Sequence, residues 1–264
     1  MNRRMEMICI GNELLIGKTL NTNANWLAGR VTALGGVLKR ITTVGDEIDE
    51  IKMAVNHALQ RRTRFIIITG GLGPTHDDMT LKGVAEALDL ELVVDEKALE
   101  MVKAKYEAYF KEGRMDRFEL TPSRIKMATI PEGAEPLPNP VGTAPGVIID
   151  VKGSLLIALP GVPSEMKAIF EESVKPLILE NAGEGLFFEK SIFVDGIMES
   201  ALAPLIDEVI RENPYVYVKS HPKGEERIPH IEIHFSTLTE DSEVAERRLE
   251  KAVNRMLELT AHNR

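Results

Sequence analysis

The stretch Phe65-Ile66-Ile67-Ile68-Thr69-Gly70-Gly71-Leu72-Gly73-Pro74-Thr75-His76-Asp77-Asp78-Met79-Thr80 runs directly into Leu81-Lys82-Gly83-Val84-Ala85-Glu86-Ala87-Leu88, and it decides the fold. Phe65 to Thr69 is a short apolar, β-branched run of the kind that fills a buried parallel strand. Residues 81–88 carry apolar side chains at helical spacing, so the turn between them is a strand-to-helix connection. Gly70, Gly71 and Gly73 allow positive φ and close backbone approach. The start of the following helix offers unpaired N–H groups to an anion. Asp77 and Asp78 then stand where a phosphate would sit. Bare carboxylates repel phosphate, and a cation between them reconciles the two. The turn thus points to a metal-assisted phosphate-ester or pyrophosphate site. Thr75 and Asp78 also fit a capping box, but capping leaves three glycines, Pro74 and a second carboxylate unexplained.

Outward from this turn the pattern repeats. Strands are expected at Met5–Ile10, Val37–Val44, Leu92–Val94, Gly146–Val151 and Ser154–Leu159. Helices are expected near 23–34, 47–61 and 97–110, and from Pro163, which suits a first helical position. Alternating strands and helices predict an α/β layered sheet with ligands at the carboxyl ends of its strands. A linker is expected around Asn181–Gly185. Beyond it, strand 191–195, helix 200–213, strands 215–220 and 230–236 and helix 243–259 form a β-α-β-β-α order, a small α+β unit. The expected division is residues 1–182, carrying the site, and 188–264.

Composition narrows the function classes. The 264 residues are 44% hydrophobic and 28% charged, ordinary for a soluble globular protein. A formal net charge of −9 argues against general nucleic-acid binding, which needs a positive footprint. The single cysteine, Cys9, rules out a disulfide framework or a Cys-based zinc site. No apolar stretch is long enough to span a membrane, and the amino terminus lacks a signal-type apolar core. Cytoplasmic residence is the default expectation.

Other motifs fail on spacing or have a plainer reading. Gly11–Thr19, GNELLIGKT, has five residues rather than four between its glycines, and Leu14, Leu15 and Ile16 would crowd a phosphate loop. Gly71-x-Gly73 has His76 where the dinucleotide fingerprint wants a small residue. His230, Glu232 and His234 share one face of a period-two strand, which fits polar groups shown to water better than a metal site. The unit lacks a GxxG loop of the KH type. Two further loops support the opening turn: VGDE (Val44–Glu47) places Asp46 at the end of a strand, and LPGVPSEM (Leu159–Met166) follows another. In a parallel sheet all three would emerge along one edge. Asp46 could alternatively cap the next helix.

Together, GNELLIGKTLNTN (11–23), VGDE, TGGLGPTHDDMT, NPVGTAPG (139–146) and LPGVPSEM resemble the competence/damage-inducible protein A (CinA) family, whose amino-terminal domain is molybdopterin-binding-like. The resemblance covers about residues 5–180, and 188–262 resemble the small domain that follows. It implies a three-layer α/β sandwich with a mainly parallel sheet, then a small α+β domain. Asp78 matches the aspartate closing the superfamily's glycine turn, and Asp46 that of its Pro-Asp-Glu segment, with Gly45 replacing the proline. Implied by resemblance is a metal-dependent pyrophosphatase acting on nucleotide diphosphates such as ADP-ribose or FAD. Asp46 and Asp78 would be catalytic, with Asp77 helping them hold a divalent metal (Mg, Co or Ni) and potassium as a candidate second ion. Asn12, Glu13, Asn21, Gly70, Gly71, Gly73, Thr75, Gly142, Thr143, Gly161 and Ser164 would contact substrate or phosphate. The alternative is a molybdopterin- or nucleotide-binding protein without hydrolytic turnover. Expected partners are a small nucleotide or pterin-phosphate ligand and, by resemblance, a second copy in a homodimer, with neither nucleic acid nor membrane. CinA-type proteins often carry a further deamidase domain; this chain is expected to lack it, ending at Arg264.

Overall fold

A computed structural model describes residues 4–182, 185–223 and 229–261. Gly183 and Glu184 of the expected linker lie outside the described residues, as do 1–3 and 262–264 at the ends of the two expected domains. The chain divides into two compact units, Met1–Thr32 with Gly36–Ala182, and Ala33–Gly35 with Gly183–Arg264.

The first unit begins with β1 (Arg4–Ile10), a short helix α1 (Asn12–Leu15), α2 (Thr22–Ala33) and β2 (Val37–Val44). It continues through α3 (Ile48–Gln60), β3 (Phe65–Thr69), α4 (Thr80–Leu88), β4 (Leu92–Val94) and α5 (Glu96–Lys111). Then come α6 (Pro122–Lys126), β5 (Thr129–Pro131), β6 (Glu135–Leu137), β7 (Gly146–Val151) and β8 (Ser154–Leu159). It closes with α7 (Pro163–Ile169), one π-helical turn at Phe170–Val174, and α8 (Lys175–Ala182).

Six strands form one sheet in the order β2-β1-β3-β8-β7-β6. The pairs β1–β2, β1–β3 and β3–β8 are parallel, whereas β7 and β6 join antiparallel. The loops after β1, β2, β3 and β8 therefore all leave the same sheet edge. Strand side chains alternate between faces. Ile8, Ile10, Ile66, Ile68, Leu156 and Ala158 share a buried cluster with Ile51 and Val55 of α3, Val84 of α4 and Val102 of α5. Met5, Met7, Phe65, Ile67 and Ile157 point to the other face and are equally buried. On the α2 side, Trp26 meets Phe170 edge to face at 5.4 Å between ring centres, and Arg30 forms a bidentate pair with Glu171 on the π turn. Helices on both faces of a mainly parallel sheet make the three-layer α/β architecture.

At the opposite end of β1, Glu6 is only 4% exposed. It accepts hydrogen bonds from Arg61 Nε at 2.8 Å and Thr63 Oγ1 at 2.8 Å. Burial alone would raise its pKa, but the Arg61 and Thr63 hydrogen bonds and the Arg61 and Arg40 charges outweigh it, so the carboxyl stays below its ordinary value.

The second unit contains β9 (Leu186–Asp195), α9 (Glu199–Glu212), β10 (Tyr217–Pro222), β11 (His230–Thr239) and α10 (Ser242–Ala261). Its antiparallel sheet runs β10-β11-β9, with Val194, Val218, Ile231, Ile233 and Phe235 in one core with Leu202 of α9 and Leu249 of α10. The expected alternation of β11 is present: Ile231, Ile233 and Phe235 are buried while His230, Glu232 and His234 are more exposed. His230 Nδ1 lies 2.5 Å from Asp195, and Glu232 pairs with Lys223 at 3.2 Å.

Candidate functional site

At the shared sheet edge lies a pocket of about 270 Å³. The loop after β1 and the start of α2 contribute Gly11, Glu13, Thr19, Asn21, Thr22 and Asn23 to its walls. Asp46 comes from the loop after β2; Thr69, Gly70, Gly71, Asp77 and Asp78 come from the β3 turn; Gly161 and Pro163 come from the loop after β8.

Gly70 and Gly71 cannot be other residues without strain. Gly70 has φ 103°, and a Cβ there would lie 2.2 Å from Ile10 O; Gly71 has φ 63°, and its Cβ would lie 2.3 Å from Thr80 Oγ1. The turn is fastened at both ends. Gly70 N–H donates to Leu159 O at 3.0 Å, and buried Thr80 donates from Oγ1 to Gly70 O at 2.7 Å. Lys126 Nζ donates to the carbonyls of Thr75 and Asp78, the latter at 2.9 Å.

Local structure differs from expectation at three points. The capping box does not cap: α4 begins at Thr80, and its N-cap, Met79, makes no side-chain bond. Asp78 instead closes a turn ahead of the helix, accepting from Thr75 N–H at 2.8 Å, and the N-cap lies four residues beyond Thr75. Asp46 does not cap α3 either; Glu47 holds the N-cap position, and Asp46 Oδ2 accepts from Asn12 N–H at 2.8 Å, tying two site loops together. Finally, the Gly70 amide is committed within the sheet and cannot cradle a phosphate. At the start of α2, Thr22 N–H donates to Leu20 O at 2.7 Å. There Asn21 Oδ1 caps Ala24 N–H at 2.9 Å, which leaves its Nδ2 to donate elsewhere.

Of the residues singled out in the sequence, the structure brings Glu13, Asn21, Asp46, Gly70, Gly71, Asp77, Asp78 and Gly161 to this one pocket. Asn12 and Thr75 stand behind it: Thr75 Oγ1 is 2.5 Å from carboxylate oxygens of both Asp77 and Asp78. That hydrogen bond, with Asp77's own backbone and the nearby His76 and Lys126 charges, holds the Asp77 carboxyl below its usual range. Gly73 lies beneath the Asp78 carboxylate, outside the pocket wall. Gly142 is held by Asn139, whose Oδ1 accepts its N–H at 2.7 Å, and Thr143 lines a separate groove beside Met101 and Lys105. Ser164 is exposed and does not line the pocket. Sequence reasoning passed over Thr19, Thr22 and Asn23. Asn23 Nδ2 donates to Gly161 O at 2.7 Å, closing the pocket from the far side of the sheet edge.

Charge in the pocket is one-sided. Glu13, Asp46, Asp77 and Asp78 line it, and among the described residues no Lys, Arg or His does. Among the described residues, no group of three or more His, Cys, Asp or Glu side chains is placed to hold a metal ion. Asp46 and Asp78 each have one oxygen in a loop hydrogen bond and a second outside it. No helix among the described residues is long and apolar enough to cross a membrane.

Comparison with known proteins agrees with this architecture. Residues 6–180 match the model of the family described as "probable molybdopterin binding domain". Protein PAE0875 of Pyrobaculum aerophilum is 46% identical over 254 residues, covering 96% of this chain and 92% of that one. A protein of Aeropyrum pernix is 52% identical over 223 residues, covering 84% and 80%. The crystal structure of CinA from Thermoplasma acidophilum, described as of unknown function, superposes with a TM-score of 0.60 at 42% identity, over 66% of this chain and 98% of that one. The chain thus belongs to the probable molybdopterin binding domain family, in its CinA-like branch.

Proposed function

We propose that the sheet-edge pocket binds a phosphorylated pterin or nucleotide together with a divalent cation. Family membership supports the ligand class. The observation that carries the reading is the meeting, in one pocket, of three acids from the β2 and β3 loops with the Asn21, Thr22 and Asn23 start of α2. Asp46 and Asp78 would hold the cation, with Asp77 beside them. Asn21 Nδ2 and the Thr19 and Thr22 hydroxyls would orient the phosphates. The molecule would act as a homodimer, which analytical ultracentrifugation tests directly.

A second reading adds turnover: hydrolysis of a nucleotide diphosphate such as ADP-ribose to release AMP. What favours it is the number of carboxylates, more than anion binding alone calls for. A bound divalent ion would supply a water of lowered pKa and neutralise charge on the leaving phosphate. The protein's own groups would fix the phosphates and hold the acids in place, Asp46 through Asn12 and Asp77 and Asp78 through Thr75. Incubation of ADP-ribose with Mg²⁺, Co²⁺ or Ni²⁺ tests both readings, with potassium added in parallel. Binding by calorimetry without AMP supports the binding protein, and AMP release abolished by Asp78→Ala supports the hydrolase. Absence of binding by both pyrophosphate and ADP-ribose in every metal refutes the assignment.

A further inference from the structure

In the second unit the chain turns between α9 and β10, where Val216 N–H donates to Asn213 O at 2.9 Å. Two cavities meet at this turn, and Pro214, Tyr215 and Val216 line both. The Tyr215 side chain is 70% exposed. Its backbone is anchored from one cavity, where Thr237 Oγ1 donates to Tyr215 O at 2.7 Å, and its ring is covered from the other, where the Arg248 guanidinium lies 4.6 Å from the ring centre. The turn is thus a ridge fixed in place with an aromatic side chain left in water. One cavity, of about 440 Å³, is mainly apolar, with Phe187, Ile210, Tyr217 and Leu238 in its wall. Strand β11 runs on to Thr239, past the Tyr217–Ser236 pair where its pairing with β10 begins, so Leu238 has no β10 residue opposite it. Ile210, Tyr217 and Leu238 are all exposed. The other cavity, of about 390 Å³, is basic, with Arg247, Arg248 and Lys251 of α10 in its wall. Its acid, Glu212, is matched by Arg255 at 2.9 Å. Arg247 reaches Glu243 only at 3.8 Å between exposed side chains, an attraction worth little in water. Among the described residues Arg248 and Lys251 pair with no carboxylate. In a chain of net charge −9 this cavity holds a local surplus of positive charge.

We infer that this ridge docks a segment of a partner protein that carries a large apolar side chain and a carboxylate within about four residues of each other, roughly 13 Å of extended chain. The apolar side chain enters the cavity at Ile210 and Leu238, the carboxylate is met by Arg248 and Lys251, and the segment covers Tyr215 as it crosses the ridge. An exposed tyrosine between an apolar pocket and an arginine is the composition in which binding energy concentrates at protein interfaces. Charge complementarity selects an acidic partner. The extent of the charge selects protein over nucleic acid. Glu243, Glu246 and Glu250 are exposed on the same turns of α10 as the three cations. A phosphate backbone running past the cavity would meet those acids, whereas nucleic-acid binding needs a continuous positive track. A single carboxylate needs only the cavity. This surface lies wholly within the second unit and is independent of the ligand assigned to the sheet-edge pocket.

The test selects a randomised peptide library displayed on phage against the full native chain, then measures synthetic copies of the enriched peptides by fluorescence anisotropy. Enriched peptides share a large apolar residue within four positions of an Asp or Glu, and their affinity falls as salt is raised. Arg248→Glu turns attraction into repulsion and weakens them by roughly tenfold or more. Leu238→Asp, which charges the wall of the apolar cavity at a position that already meets solvent, weakens them on the same scale. Lys111→Glu, the same change of charge on exposed α5 of the other unit, leaves affinity within about twofold. Thermal melts confirm that each variant is folded, and Lys251→Glu replaces Arg248→Glu if that variant is not. Failure to enrich any sequence, a consensus without an acid, or affinity unmoved in the folded variants overturns the docking site. Binding of oligouridylate that the same variants abolish assigns the ridge to nucleic acid instead and overturns it too. So does a dimer in sedimentation that Arg248→Glu dissociates, because a second copy of the chain then occupies the surface.

Discussion

Thr80 is the residue on which the site turn rests, and replacing it isolates one hydrogen bond. Its side chain is fully buried, donates from Oγ1 to Gly70 O at 2.7 Å and does not line the sheet-edge pocket. Thr80→Val keeps the shape and removes the donor, leaving the buried Gly70 carbonyl without it. A buried polar group stripped of its partner costs about 1–3 kcal/mol. With a midpoint value of about 2 kcal/mol and a shift of roughly 2–4 °C per kcal/mol for a unit of this size, the melting midpoint should fall by about 4–8 °C. Thr80→Ser keeps the hydroxyl and loses one methyl, worth about 1 kcal/mol, so its midpoint should fall by roughly half as much. Calorimetric melts of the three proteins give the ordering native, serine, valine. Pyrophosphate affinity should follow the same order, because the Gly70–Gly71 backbone is set from beneath by this bond. A valine variant that melts at or above the serine variant would falsify the claim that the hydroxyl, rather than the packing, anchors the turn.

Two further substitutions probe other parts of the same framework. Gly71→Ala must accept φ 63° and a Cβ 2.3 Å from Thr80 Oγ1. The conformation alone costs about 1–2 kcal/mol, so both melting midpoint and pyrophosphate affinity should drop; an alanine variant as stable as native would contradict the backbone geometry. Glu6→Gln removes the acid held by Arg61 and Thr63. Because the folded pKa of Glu6 is depressed, its contribution is complete above the ordinary carboxylate pKa and is lost as pH falls through the folded value. Urea titrations should show the variant less stable by about 1–3 kcal/mol at pH 7, with the difference shrinking below about pH 4. A gap that widens on acidification refutes the sign.

Much of this arrangement is legible in the sequence where local pattern and tertiary demand coincide. The strands at Val37–Val44, Phe65–Thr69, Gly146–Val151 and Ser154–Leu159 follow the expected residues, since β-branched runs and turn glycines determine them locally. Convergence of the loops at one edge follows from the parallel pairing of β2, β1, β3 and β8. Less legible is whatever depends on partners distant in the chain. The β4–β5 pair joins Leu92 to Pro131, and the π turn at Phe170–Val174 accompanies the Arg30–Glu171 pair; neither leaves a periodic signal. Capping chemistry misleads for a related reason. Thr75-x-x-Asp78 forms its hydrogen bond as a capping box would, but the helix starts two residues later, so the same bond shapes a binding turn. Asn23 reads as an ordinary polar residue near a helix start. Only the fold brings it across 138 positions to Gly161.

The charge of the pocket gives the sharpest test of what the site holds. Among the described residues four carboxylates line it and no basic side chain does. At separations of about 6 Å and an effective dielectric near 20, each carboxylate repels a phosphate charge by roughly 3 kcal/mol, before screening by water and salt reduces it. The start of α2 returns far less, about 0.3–1 kcal/mol in an exposed setting. An anionic ligand should therefore bind only with a cation that neutralises the acids. In Mg²⁺ the protein should bind pyrophosphate, and with excess chelator the affinity should fall by at least two orders of magnitude, corresponding to about 3 kcal/mol. Asp46→Asn removes one charge while an amide oxygen can still accept from Asn12 N–H, so it should weaken binding in Mg²⁺ and lessen the dependence on the metal. Those opposite changes distinguish a cation site from mere repulsion: if the acids only repel, Asp46→Asn strengthens binding in both conditions. Tight pyrophosphate binding in chelator by the native chain would show that the helix start suffices and that the aspartates serve the turn rather than a metal.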